Sequence, residues 1–278
     1  KEGSYIGKGI YDVDAFEASL ENRVPENSLL SHDLFEGCFA RSGLISDVEL
    51  LDDFPARYHQ QSRRQLRWVR GDWQLLPFMF GKLRGRNGKV EKTPLSALSR
   101  WKLIDNLRRS LVPVGAFITL LLASLLNAPF EFALAFLLLW PVPLFLALLS
   151  SCIDVSRQAF QEIFEIGSKQ SLIGSIWATL AELKRISSLC LYQFVVIPHQ
   201  CSLSLQAVFV TLYRLYYSKS NLLEWETALT AQKRLGADFN SFLKTFFITS
   251  VLCLITTATF AQFGGDLYYL STLLLAWL

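Results

Sequence analysis

The sequence predicts a mostly helical chain in two parts, a polar, soluble-looking segment followed by apolar helices of membrane character. Three observations carry that expectation. Of the 278 residues, 51% are hydrophobic and only 18% charged, whereas a soluble domain holds about 25% charged residues. The apolar excess lies after residue 110. The stretch between the two parts, 82–109, carries nine basic residues against only Glu91 and Asp105.

Residues 1–81 are mixed in character. Gly7 to Phe16 is a glycine turn running into a helix expected over Ala15–Glu21, with Asp14 as its cap and Glu17 in its first turn. Asp12-Val13-Asp14 has the form of a DxD metal motif, but capping accounts for it better. Asn27 to Asp33 ends in a polar turn, and Ser31 or Asp33 is placed to cap a helix starting at Leu34. Arg64 to Gln74 is a helix bearing both arginines and tryptophans. In 82–109, Gly85, Gly88 and Pro94 mark a loop, and Ser96–Ser110 follows as an amphipathic helix with Trp101. A basic helix carrying a Trp belongs at a membrane surface.

Ser110–Phe130 is uncharged and long enough to cross a hydrocarbon core of about 30 Å. Asn127–Glu131 reads as a turn and Phe132–Ile153 as a second span, kinked at Pro141 and Pro143, so 110–153 is a helical hairpin. Residues 154–244 form a polar return. Within it Ile173–Gln193 is helix-like, and Ile186–Tyr213 is uncharged apart from His199. Pro198 is expected to split that run into interfacial or re-entrant helices. Thr245–Gly265 is a third span, Gly264–Asp266 a turn, and Leu267 starts a fourth, so 245–278 is a truncated hairpin. The basic 82–109 segment places the first part and the 154–244 return in the cytosol. The five cysteines show no CxxC spacing and read as small buried hydrophobes. The opening residues lack Met and the chain closes inside an apolar run, as a fragment would.

The chemistry-bearing residues lie in the first part. Asp33, at a helix start beside His32, is a candidate general base: an inverting sugar transferase needs one carboxylate to take the acceptor hydroxyl's proton. Arg64, Gln65, Arg67 and Trp68 form a cluster fit for a diphosphate, since guanidinium donates bidentate bonds to phosphate and steadies a leaving group. Trp68 and Trp73 are placed to stack on sugar rings. Gly7, Lys8, Gly9 and Tyr11 form a loop that admits a substrate close to the backbone. For His199 and Glu224, packing or ion pairing accounts for the residue without catalysis.

Gly7-Lys8-Gly9-Ile10-Tyr11-Asp12-Val13-Asp14-Ala15-Phe16, Arg23-Val24-Pro25-Glu26-Asn27, Leu30 to Gly37 and Arg64 to Gln74 resemble the cyclic β-1,2-glucan synthases, as do Pro198-His199-Gln200 and Asn221 to Trp225. That family is glycosyltransferase family 84, also described with the glycosyltransferase 36-associated proteins. The resemblance implies a multi-pass enzyme of the bacterial inner membrane that uses UDP-glucose and a divalent metal, Mg or Mn, to extend a β-glucan and cyclise it. It implies that 1–81 is the C-terminal part of a GT-A (α/β) domain, with Asp33 as base. The family's QxxRW motif falls on Arg64, Gln65, Leu66, Arg67 and Trp68, with Arg64 replacing the first Gln. Gly7, Lys8, Gly9, Tyr11 and Trp73 fall on the acceptor side. The metal site is expected upstream, with none in this chain. The same polypeptide is expected to hold the N-terminal transferase half and a C-terminal phosphorylase-like domain, with the bilayer as partner and no nucleic acid. The rival readings are another processive β-glycan synthase and a non-catalytic membrane module. The three complete spans hold no ionisable residue, which argues against ion-coupled transport.

Overall fold

A computed structural model describes residues 3–5, 7–21, 23, 29–30, 33–45, 47–49, 51, 55, 57–80, 82–84, 90–92, 95–125, 142–163 and 172–224, with scattered positions between 240 and 258. The chain forms two compact units. The first comprises Lys1–Gly115 and His199–Ile248, the second Ala116–Pro198 and Thr249–Leu278.

In the first unit, α1 spans Val13–Leu20. Its cap is Asp12, whose carboxylate accepts the Ala15 N–H at 2.8 Å. This corrects the expectation of Asp14, which instead lies in the first turn and favours the helix through its dipole. Helix α2, Asp33–Ala40, begins at the candidate base. It presents two faces. Phe35 and Phe39 stand one turn apart, their rings 5.0 Å apart edge to face, and Phe35 meets Phe78 at 5.1 Å. Asp33 and Gly37 are likewise one turn apart, on another face.

Helix α3, Tyr58–Gln74, leads through Leu75 into the short α4, Leu76–Phe80. Residues 82–94 are not simply a loop: β1, Lys82–Arg84, pairs antiparallel with β2, Val90–Lys92, Lys82 opposite Lys92. The glycines that signalled a loop lie in the connection between the strands. Ser96 then caps α5, its hydroxyl accepting the Ser99 N–H at 3.0 Å. Helix α5 runs Ala97–Leu125 without a break at Ser110, and Pro113 lies inside it. The interface helix and the first span expected from the sequence are thus one helix at least as far as Leu125. Leu103, Leu107, Ser110 and Val114 recur at helical spacing along it and are all buried, while Trp101 on another face is exposed.

The core of this unit gathers Leu29, Phe35, Leu75, Phe78, Met79, Leu95, Leu103 and Leu107. It packs α2, α4 and the first half of α5 together, and so sets the direction in which α2 carries Asp33. Gln74, 1% exposed, ties two remote segments to the end of α3. Its Oε1 accepts the Leu30 N–H at 2.7 Å and its Nε2 donates to the Leu222 carbonyl at 2.9 Å. At the other end of α3 the Tyr58 hydroxyl lies 2.7 Å from His199 Nδ1 and accepts from Gln200 Nε2 at 2.9 Å. His199 therefore sits in a packing and hydrogen-bonding node.

In the second unit, α6 spans Val142–Ile163. It continues past Ile153 through Asp154 and Arg157, so the helix does not stop where the charges begin. Helix α7, Leu172–Tyr213, runs through Pro198 and ends in a π-helical turn, Arg214–Ser218. The expected split at Pro198 does not occur. A proline removes one backbone hydrogen bond, and helices of membrane type keep their course when neighbours take up the freed groups. Among the described residues one helix, Ile176–Ser218, is long and apolar enough to cross a membrane. The Asn127–Glu131 and Gly264–Asp266 turns, residues 132–141 of the second span and the fourth span lie outside the described residues, and only scattered positions of the third are described. Of the cysteines, Cys201 and Cys253 are buried as expected, whereas Cys152 is exposed.

Phe35 is fully buried. Phe35→Ala should lower stability by about 3–5 kcal/mol through lost burial and the cavity left behind. Thermal unfolding of the detergent-solubilised protein measures this; a loss under 1 kcal/mol would contradict the assigned core.

Candidate active site

The site is built on the contact between residues 3–9 and α2. The Gly3 N–H donates to the Ser42 carbonyl at 2.7 Å, and Lys102 Nζ on α5 donates to the Gly3 carbonyl at 3.2 Å. From there the segment runs back along the helix. A Cβ on Gly37 would come within 2.7 Å of the Tyr5 Cβ, and a Cβ on Gly7 within 2.8 Å of Asp33 Oδ2 and 3.0 Å of its Cγ. Gly7 also has φ +83°, a conformation that L side chains rarely adopt. Residues 3, 5 and 7 alternate toward this element, as an extended chain requires: residues 5 and 7 meet α2 at Gly37 and Asp33, and residue 3 meets Gly43, just beyond its end. Glycine at both 7 and 37 lets the backbone approach until the Asp33 carboxyl lies directly against Gly7.

Asp33 is half-buried. The Arg67 guanidinium is held below its ordinary pKa, first by burial and then by the Arg64 cation, while the Asp33 carboxylate acts in the opposite sense. Asp33 and Arg67 thus lie within electrostatic reach of each other although 34 positions separate them in sequence. Arg64 stacks over Trp68, its guanidinium carbon 4.4 Å from the ring centroid, and Trp68 remains 38% exposed. The α3 residues Arg64, Arg67 and Trp68 therefore form one cationic, aromatic patch, of which Arg67 lies in the carboxylate's field. Gln65 is half-buried on the same helix; Lys8, Gly9 and Tyr11 are exposed on the loop after Gly7.

Trp73 is not brought to this group. Its indole N–H donates to Ser110 Oγ at 3.0 Å and its ring packs against the core. Nor does Asp12 face a metal, since it caps α1. Among the described residues no group of three or more His, Cys, Asp and Glu side chains is placed to hold a metal ion.

Sequence reasoning missed four contributors. Tyr5 and Gln74 act through long-range contacts. Gly37 carried a signal, because glycine inside a helix weakens it by about 1 kcal/mol and calls for a packing reason. The fourth is Asp72, whose carboxyl burial raises to about 6, with Asn106 Nδ2 donating to it at 3.0 Å and the Arg109 charge opposing the rise. Nearby, Arg70 donates to the Glu224 carbonyl at 3.2 Å, and Arg214 pairs with the Glu224 carboxylate at 2.5 Å. Burial, then the Arg214 charge, lowers the Arg70 pKa.

No protein-family model matches the chain. The cyclic beta-(1,2)-glucan synthase NdvB of Rhizobium meliloti (strain 1021) is 37% identical over 257 residues, 92% of this chain. Over this segment the chain belongs to the cyclic β-(1,2)-glucan synthase family. The chain spans 8% of that relative's length.

Asp72 yields a pH prediction. Its folded-state pKa of about 6 lies above the ordinary 3.8, so the folded protein holds the proton more tightly than the unfolded chain. Its stabilising contribution is complete below pH 4 and is lost as pH rises through 6. Asp72→Asn, which keeps an acceptor oxygen for Asn106, should raise the thermal midpoint at pH 7.5, by at most about 3 kcal/mol of stability, and the gain should vanish below pH 4. An equal or lower midpoint at pH 7.5 would contradict the burial argument.

Proposed function

We propose that this segment carries the acceptor side of an inverting, membrane-embedded glucosyltransferase that polymerises glucose from UDP-glucose into β-1,2-glucan, cyclised in the complete synthase. The observation that carries this reading is the Asp33 carboxyl lodged against Gly7 and within the electrostatic reach of Arg67. The chemistry follows from those positions. The 2-hydroxyl of the growing glucan gives its proton to Asp33 as its oxygen attacks the anomeric carbon of the donor. The bond from that carbon to the UDP oxygen breaks, and UDP leaves with the electron pair. A positioned carboxylate contributes about 10²–10⁴-fold to such a step. Arg67, flanked by Arg64, balances the charge that develops on the diphosphate, in a partly dehydrated setting where a fixed cation is worth more than in water. Gln65 and Trp68 complete the donor side of the patch, and Gly7, Lys8, Gly9 and Tyr11 border the acceptor. The divalent metal that family resemblance implies would neutralise diphosphate charge. The described residues offer it no site, and its ligands belong to a part of the polypeptide upstream of this segment.

We assign 1–81 to the C-terminal part of a GT-A domain, 82–109 to a basic interface segment, 110–153 and 245–278 to the membrane region, and 154–244, which holds the long apolar helix Ile176–Ser218, to helices at its interface. The long apolar helix Ile176–Ser218 supports a membrane location. So do the large apolar side chains that the second unit exposes, among them Leu146, Leu149, Trp177 and Leu191. The bacterial inner membrane is the setting proposed, with the transferase part cytosolic. That the chain spans only 8% of its relative supports a polypeptide that also holds the donor-binding half and a phosphorylase-like domain.

In the complete synthase, Asp33→Asn should cut polymer formation from labelled UDP-glucose by at least 10²-fold while membrane insertion is retained. Retained full activity would remove the assignment. Arg67→Lys, which keeps the charge but loses the bidentate fork, should lower the rate about tenfold. A rate equal to the parent's would show that Arg67 does not touch the diphosphate.

A further inference from the structure

Tyr5, Tyr11 and Phe16 form an aromatic cluster at the edge of the same site. Tyr5 meets Tyr11 edge to face at 6.3 Å and Phe16 at 6.1 Å, and the Tyr11 and Phe16 rings lie 4.8 Å apart. Tyr11 is 52% exposed, and Tyr5 and Phe16 are partly so. An open cluster of three rings is not how a small domain hides apolar surface. Tyr5 is, moreover, built into place. Its backbone and Cβ sit against α2 at the one position, Gly37, where a side chain would collide with it. Gly37 lies one helical turn beyond Asp33, and Tyr5 lies two residues before Gly7, which touches Asp33. Burial, and after it the fields of Tyr11, Glu36 and Asp33, raises the pKa of the Tyr5 hydroxyl.

We propose that the Tyr5, Tyr11 and Phe16 rings form the floor on which the terminal sugar of the acceptor glucan stacks. This rests on the reading of Asp33 as the base and deepens it by naming the surface that presents the hydroxyl. A glucopyranose has equatorial hydroxyls around its rim and C–H bonds on its faces. The C–H face matches the electron-rich face of an aromatic ring, and the hydroxyl rim can meet Asp33 and Glu36, both on the first turn of α2. Trp73, which the sequence suggested for this role, has its indole N–H bonded to Ser110 instead.

The test is binding of a linear β-1,2-gluco-oligosaccharide to the complete, detergent-solubilised synthase, followed by calorimetry without donor so that turnover does not enter. Tyr5→Leu should weaken binding about tenfold, whereas Tyr5→Phe, which keeps the ring, should stay within twofold of the parent. Tyr11→Leu, at an exposed position with little bearing on folding, should also weaken it several-fold. Asp33→Asn should retain binding. Parent-like affinity in Tyr5→Leu and Tyr11→Leu, or no binding by the parent, would overturn the aromatic floor. Asp33→Asn with full polymerase activity would overturn the base assignment and leave the binding result standing, so the two failures are distinguishable.

Discussion

The site depends on a backbone-to-helix contact that only glycine permits. The chain from Gly3 to Gly7 lies against α2 because position 37 on the helix and position 7 on the segment both lack a Cβ. Mid-helix glycine weakens α2 by about 1 kcal/mol, and a left-handed residue at position 7 costs a non-glycine backbone more than that. Those concessions bring a carboxylate, a tyrosine and an open loop to one place. The surrounding structure supports the contact from both ends: Ser42 and Lys102 hold Gly3, and Phe35 anchors α2 in the core on its other face.

Electrostatics then gives the assembled groups their character. Helix α3 carries Arg63, Arg64, Arg67 and Arg70 within two turns, and partial burial penalises the charge on Arg67 and Arg70. Such a helix is costly to fold alone, because like charges repel at neighbouring positions. Compensation comes from within the helix and from outside it. Asp33 acts on Arg67, the Trp68 ring takes Arg64, and the turn around Glu224 receives Arg70 and Arg214. A pre-set excess of positive charge around Arg67, within reach of one carboxylate, suits the reaction proposed above, in which a diphosphate departs as a proton is removed.

How much of this was visible in the sequence differs from residue to residue. The arginine-tryptophan helix was legible from its side-chain pattern, and the helix expected from Leu34 begins one residue earlier, at Asp33. So was the helix start at Ser96, whose hydroxyl caps it. The Asp12 cap was misplaced by two residues because two carboxylates flank Val13 and either suits a helix start. Proline and charge misled at longer range. Pro198 and the charges after Ile153 read as boundaries, yet α7 and α6 pass through them, since helix continuity is decided by neighbours. Trp73 read as a sugar-binding ring because its sequence neighbours are arginines. Its partner Ser110 lies 37 positions away and has no local signature. Tyr5 on Gly37 is of the same kind, a contact between segments whose only local trace is a glycine in the middle of a helix.

The most direct measurement compares the initial rate of glucan formation by the complete synthase carrying Gly7→Ala, Gly37→Ala or Gly43→Ala. A Cβ at Gly43 meets nothing within 4 Å, whereas at 7 and 37 it meets Asp33 and Tyr5 at 2.8 and 2.7 Å. The account predicts that the first two variants lose most of their rate, although alanine favours a helix at position 37, while Gly43→Ala keeps it. Equal rates in all three would contradict the claim that close approach at these two glycines holds the Asp33 carboxylate in place.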